Sequence, residues 1–112
     1  MTFLTVSERK RRSAERLAAA AEAVMAELSA YARSKGSQGR FIVFDSAASG
    51  EMRYDSDFDV IVDFPAAEEA AAYNAVEEFC GRHGIKPDVL PASMIDGSFI
   101  ERVMKAPVRI LP

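Results

Sequence analysis

Phe44-Asp45-Ser46-Ala47-Ala48-Ser49-Gly50-Glu51-Met52-Arg53-Tyr54-Asp55-Ser56-Asp57-Phe58-Asp59-Val60 is the stretch that decides how this chain reads. An apolar run, Phe41-Ile42-Val43-Phe44, enters a turn of small residues, and two aspartates one residue apart open a second apolar run. Side chains alternate along an extended strand, so a strand over residues 57–64 carries Asp57 and Asp59 on one face. Neighbouring carboxylates repel and resist burial unless a cation sits between them. The pair therefore predicts a divalent metal site, and Mg²⁺, with its preference for oxygen donors, suits it best.

Upstream of this stretch, Thr5 and Ser7 both offer helix N-caps, and Thr5 with Glu8 has the form of a capping box. From there to Arg33 there is no Pro or Gly, and Leu17, Ala21, Val24, Met25, Leu28, Tyr31 and Ala32 recur at helical spacing. A long amphipathic helix is expected, stopped by Lys35-Gly36-Ser37-Gln38-Gly39. The unbroken apolar run 41–44 predicts a strand buried on both faces. Residues 45–56 read as a turn with a short helix starting near Ser46.

Downstream, Val60, Val62 and Phe64 lie opposite the aspartates, and Pro65 ends the strand. Residues 66–83 form a second helix with Glu68 and Glu69 at its positive end and Gly84 as C-cap. Its inward face is Ala72, Val76, Phe79, Cys80 and His83, which makes His83 a packing or helix-end residue and Cys80 a small core residue. Residues 85–90 form a third strand bearing Asp88, and Pro87 marks it as an edge or a strand start. A short helix over 95–105 and an extended tail over 108–111 complete the order. Asp63 shares the parity of Asp57 and Asp59 but lies roughly 13 Å from Asp59, too far for a shared metal, and reads as structural.

Composition sets the outer bounds. At 112 residues the chain has material for one small domain, 1–112, with a single core. Residues 1–40 carry eight Lys/Arg against four Asp/Glu, and residues 41–112 carry six against thirteen. The acidic part holds the Asp cluster, so a nucleic-acid groove there is not favoured. The basic excess, mostly Arg9-Lys10-Arg11-Arg12, reads as a solvated helix end ahead of a contact for a phosphate or an acidic partner. Cys80 is the lone cysteine, which precludes an internal disulfide and fits a reducing compartment. No run is long enough for a membrane span, the opening six residues are too short for a signal peptide, and a cytoplasmic location is expected.

If the second and third strands are neighbours, Asp88 comes within about 5 Å of the Asp57/Asp59 pair. Three carboxylates plus the phosphates of a nucleotide then complete the coordination of one or two Mg²⁺ ions, as in-line phosphoryl or nucleotidyl transfer requires. Ser46 and the N–H groups of the turn, with Gly50 allowing its tight course, are placed for the outer phosphates.

These residues resemble the minimal nucleotidyltransferase domain of the DNA polymerase β-like superfamily. Its signature is an apolar residue, Gly-Ser, about ten residues, then Asp-x-Asp at a strand start, with a third carboxylate on a following strand. Phe44, Ser46, Asp57, Phe58, Asp59 and Val60 match it, and Asp88 matches the third carboxylate. The resemblance implies an α/β (α+β) nucleotidyltransferase fold, a small mixed sheet flanked by helices in the order α-β-α-β-α-β. It implies transfer of a nucleotidyl group, AMP from ATP or another triphosphate, to a hydroxyl, with Mg²⁺ as cofactor, two ions being the family's pattern. Asp57 and Asp59 would bind both metals, Asp88 would bind the second and help deprotonate the acceptor, and Ser46 would contact the outer phosphates.

Larger relatives carry an acceptor domain for which this chain has no room, so the acceptor is expected on a docked partner. Minimal members often accompany a helical HEPN-type protein in toxin–antitoxin pairs. Two positions depart from the pattern: Asp45 replaces the family's Gly, and Ser49 stands where many members carry Arg, leaving Arg53 as the candidate replacement. An alternative to the enzyme is thus a partner subunit of the same fold with a weakened nucleotide site, antitoxin-like. Homo-oligomerisation is left open.

Overall fold

The computed structural model describes residues 4–36 and 38–112. Ser37 of the expected helix stop and residues 1–3 of the opening lie outside the described residues. Helix α1 spans Val6–Ser34. Its start is the capping box: the Thr5 hydroxyl accepts from the Glu8 N–H at 3.0 Å, and the Glu8 carboxylate accepts from the Thr5 N–H at 3.4 Å. The expected apolar stripe is the buried one, with Leu17, Ala21, Val24, Met25, Leu28 and Ala32 joined by Ala20. Ahead of Leu17 the helix is largely exposed, Arg9 to Arg12 included, and Lys10 places its ammonium 4.6 Å from the centre of the Tyr54 ring.

Strand β1, Arg40–Phe44, leads into α2, Asp45–Ser49, followed by β2, Phe58–Asp63. Helix α3, Ala66–Arg82, then crosses over to β3, Pro87–Pro91. A 3₁₀ turn at Ala92–Met94, helix α4 at Gly97–Met104 and β4 at Arg109–Leu111 end the chain. The sheet order is β3-β2-β1-β4. β1 runs antiparallel to both β2 and β4, whereas β2 and β3 are parallel, as the intervening α3 crossover allows. This is the expected mixed sheet flanked by helices, with one strand more than the sequence resolved.

Strand alternation sorts the core into two layers. Phe41 and Val43 of β1 and Phe58, Val60 and Val62 of β2 face α1 and α3, forming the main core with Val24, Leu28, Val76 and Cys80. Ile42, Phe44 and Ile61 face the other way and are covered by Phe99, Ile100 and Val103 of α4. Both faces of β1 are therefore covered, as its unbroken apolar run required. Each fully buried large side chain contributes about 1.5–3 kcal/mol relative to exposure, so the main layer dominates stability. Burial also pushes the Cys80 thiol up to about 12, which makes it a core residue without nucleophilic character.

Two sequence expectations meet local structure here. Asp63 is paired across the ladder with Arg40, whose Nε donates to it at 2.9 Å. Both side chains are a little over a third exposed, so Asp63→Asn is expected to lower stability by less than about 1 kcal/mol in chemical denaturation and to leave any metal binding unchanged. His83 caps the C-terminal end of α3 and pairs with Glu27 of α1, which also accepts from Arg82 at 2.9 Å. It joins two helices, which is the helix-end role expected of it.

Gly39 sits buried just before β1, and a Cβ there would lie 2.1 Å from the Phe64 ring. Phe64 in turn packs against Phe41, the rings tilted at 55° with centroids 4.8 Å apart, so it cannot withdraw freely. Gly39→Ala is expected to destabilise the fold by about 1–3 kcal/mol through overpacking, measured as a shift of the denaturant midpoint.

Candidate functional site

The site is built where β1 stops. The backbone leaves Phe44 extended and enters Asp45 at φ 55°, a left-handed conformation held by no other non-glycine residue among those described. Such a conformation brings the Cβ of an L-residue against its own backbone, and glycine is the residue at ease there. One short helix later, Gly50 at φ 78° ends α2, its N–H donating to Ser46 O at 3.0 Å. No side chain caps the start of α2.

Short-range hydrogen bonds then hold the loop together ahead of β2. The Ser49 hydroxyl donates to Ser46 O and accepts from the Glu51 N–H, both at 3.3 Å. The Ser56 hydroxyl accepts from the Arg53 N–H at 2.8 Å, and the Ser56 N–H donates back to Arg53 O at 3.1 Å. Phe58 N–H donates to Lys86 O at 2.8 Å and fixes the lip of β2 against the chain entering β3.

The result is an open cleft of about 450 Å³ bounded by α2, this loop and the first residues of β2. Asp45, Ser46, Ser49, Arg53, Asp57 and Asp59, all singled out from sequence, line it. Gly50 and Asp88 are not among the lining residues: Gly50 shapes the turn, and Asp88 lies opposite Asp59 on the neighbouring strand. Asp57 is not in the strand as expected but immediately ahead of it, since β2 begins at Phe58. The offset leaves its side chain in the same cleft as Asp59. Glu51 and Ser56 also line it. The sequence carried no signal for the Glu51 side chain, an isolated acid in a turn, and Ser56 emerges as a residue that anchors the loop.

Asp59 is the centre of the cluster. It lies opposite Asp88 in the parallel ladder and opposite Phe44 in the antiparallel one. Its carboxyl is pushed up to about 7, first by burial, then by the charges of Asp45 and Asp88, with Asp88 also within hydrogen-bonding reach, and last by Asp57. Four carboxylates thus share one neighbourhood, and a proton held near neutrality relieves their repulsion. A divalent cation would relieve it more completely.

The donor set fits such an ion in one particular way. Among the described residues, no three His, Cys, Asp or Glu side chains converge as a finished coordination shell. Mg²⁺ characteristically takes one or two carboxylates and completes its octahedron with water and phosphate oxygens. An acidic pair opening onto a cleft with room for phosphates fits that mode better than a closed protein cage.

The family model described as a nucleotidyltransferase domain matches residues 25–109, from the middle of α1 to β4. No protein of curated function matches the chain. No described helix is long and apolar enough to cross a membrane.

Proposed function

The chain belongs to the nucleotidyltransferase domain family, and from that membership we propose that it takes a nucleoside triphosphate, ATP foremost, and transfers the nucleotidyl group to a hydroxyl on a docked partner. The observation that carries this reading is the side-by-side register of Asp59 and Asp88, with Asp57 and Ser46 on the adjoining cleft. Asp57 and Asp59 are the residues to hold Mg²⁺, one ion or two, with Asp88 beside them. When bound, Mg²⁺ supplies charge neutralisation on the transferring phosphoryl group and orients the attacking and leaving oxygens.

The chain's own residues account for the rest. Ser46 and the N–H groups of the turn line the side of the cleft where the outer phosphates belong, with Arg53 as the cation of the loop. Asp88 is exposed and next to Asp59, a place from which it can accept the proton of an incoming hydroxyl. The new bond forms between that hydroxyl oxygen and the α-phosphorus, and the bond to the leaving pyrophosphate breaks in line with it. An acceptor on a helical partner of the HEPN type is consistent with a site this open.

Incubation of the chain and its co-purified partner with Mg²⁺ and ATP labelled on the α-phosphate tests the proposal. Label is expected on the partner and is expected to vanish in Asp59→Asn; label retained by Asp59→Asn contradicts it. A second reading, a partner subunit whose nucleotide site is weakened, is favoured by one observation: Asp45 brings a carboxylate and a left-handed backbone to the glycine position of the cradle. Labelling absent from the wild type and regained in Asp45→Gly would select that reading.

A further inference from the structure

A second hollow, of about 260 Å³, adjoins the acidic cleft and shares Asp45 with it. Its walls are of a different kind: Phe44, Phe99, Val103 and Ala106, with Arg102 the only cation. The Phe99 ring stands at 83° to that of Phe44, 6.3 Å between centroids, and the Arg102 guanidinium lies 5.7 Å from the centre of Phe99. Phe44 is also the ladder partner of Asp59, so this hollow begins one strand away from the carboxylate cluster. Helix α4 is strongly two-faced in sequence, yet none of its residues is fully buried, and its apolar side stays partly open here.

The two hollows together ask for a ligand with a polyanionic end and a flat, weakly polar end joined by a short linker. Phosphates have no partners among Phe44, Phe99 and Val103, and the acidic cleft offers a planar ring no aromatic or aliphatic wall. We propose that the hollow between Phe44 and α4 is the nucleobase subsite of this chain. It rests on the reading of the acidic cleft as a triphosphate site. Phe99 and Val103 would flank the ring, and Arg102 would stack on it or donate to its acceptor atoms. On this assignment α4 does the base recognition within this chain, and its Arg102 brings positive charge to the far side of Asp45.

Calorimetric titration with Mg²⁺·ATP and, separately, with Mg²⁺·tripolyphosphate tests it. The wild type is expected to bind ATP about tenfold or more tighter than tripolyphosphate, the increment of roughly one stacking contact. Ala106→Trp fills the hollow from an exposed position, and Arg102→Ala removes its cation. Ala106→Trp is expected to bring ATP down toward the tripolyphosphate value while leaving tripolyphosphate binding unchanged, and Arg102→Ala to weaken ATP more than tripolyphosphate. Equal binding of the two ligands by the wild type, or an ATP preference that survives Ala106→Trp, overturns the base subsite and leaves the phosphate site standing. Binding of neither ligand overturns both.

Discussion

Asp45→Gly is expected to bind Mg²⁺·ATP about 10- to 100-fold more tightly than the wild type. A carboxylate about 4 Å from a phosphate charge costs up to roughly 4 kcal/mol at an effective dielectric of 20, and solvent around the exposed Asp45 lowers that figure. The same substitution removes the side chain from a residue at φ 55°, where an L-residue is disfavoured by roughly 1–2 kcal/mol and Asp by less. Glycine's added unfolded-state entropy takes back part of this, leaving a net stabilisation of about 1 kcal/mol or less. Calorimetry reads the affinity and denaturant unfolding reads the stability. Gain in both marks Asp45 as a residue that weakens the nucleotide site at a cost to the fold. Asp45→Asn separates the terms, since it keeps the strained backbone and removes only the charge. Unchanged affinity in Asp45→Gly would place Asp45 outside the phosphate path.

The second large effect is expected from Asp59→Asn. In the folded chain without metal, Asp59 keeps its proton up to about pH 7, whereas an ordinary carboxyl releases it near 3.8. Between those values the native state binds more protons than the unfolded state, so this group's contribution to stability is largest below pH 3.8 and is lost as pH rises toward 7. Asparagine does not titrate. The melting temperature of Asp59→Asn relative to wild type should therefore climb from pH 5 to pH 8 in metal-free buffer, and saturating Mg²⁺ should reduce the gap by stabilising only the wild type. A difference that is flat with pH would mean that Asp59 ionises freely and that its neighbours do not crowd it. The same variant is expected to lose Mg²⁺-dependent nucleotide binding, because the carboxylate shared by all its acidic neighbours is gone.

Much of this architecture was legible because local signals agreed with one another. The capping box fixed the start of α1, the unbroken run from Phe41 to Phe44 fixed a strand covered on both sides, and Pro87, read as an edge or a strand start, opens an edge strand. The neighbourhood of Asp59 and Asp88 followed from one further condition, that β2 and β3 pair. What escaped was non-local. β4 has three residues, too few for alternation to announce a strand, and only its pairing with β1 defines it. The start of β2 at Phe58 is set by the bond to Lys86 O, a contact invisible in the local pattern around Asp57. The apolar hollow against α4 was equally hidden, since Phe44 reads as buried strand and only the tertiary contact brings it against Phe99. At Asp45 the sequence showed a changed residue, and the backbone shows why the change matters: the chain still takes the left-handed turn that glycine would take.

We propose Asp57, Asp59 and Asp88 as the carboxylates of a cation-dependent nucleotide site. Calorimetric titration of ATP into the wild type and into Asp57→Asn/Asp59→Asn, each with Mg²⁺ and with chelator, tests it most directly. Saturable binding by the wild type that needs Mg²⁺ and disappears in the double variant is the expected result. ATP binding that survives both chelation and loss of the two aspartates would contradict it.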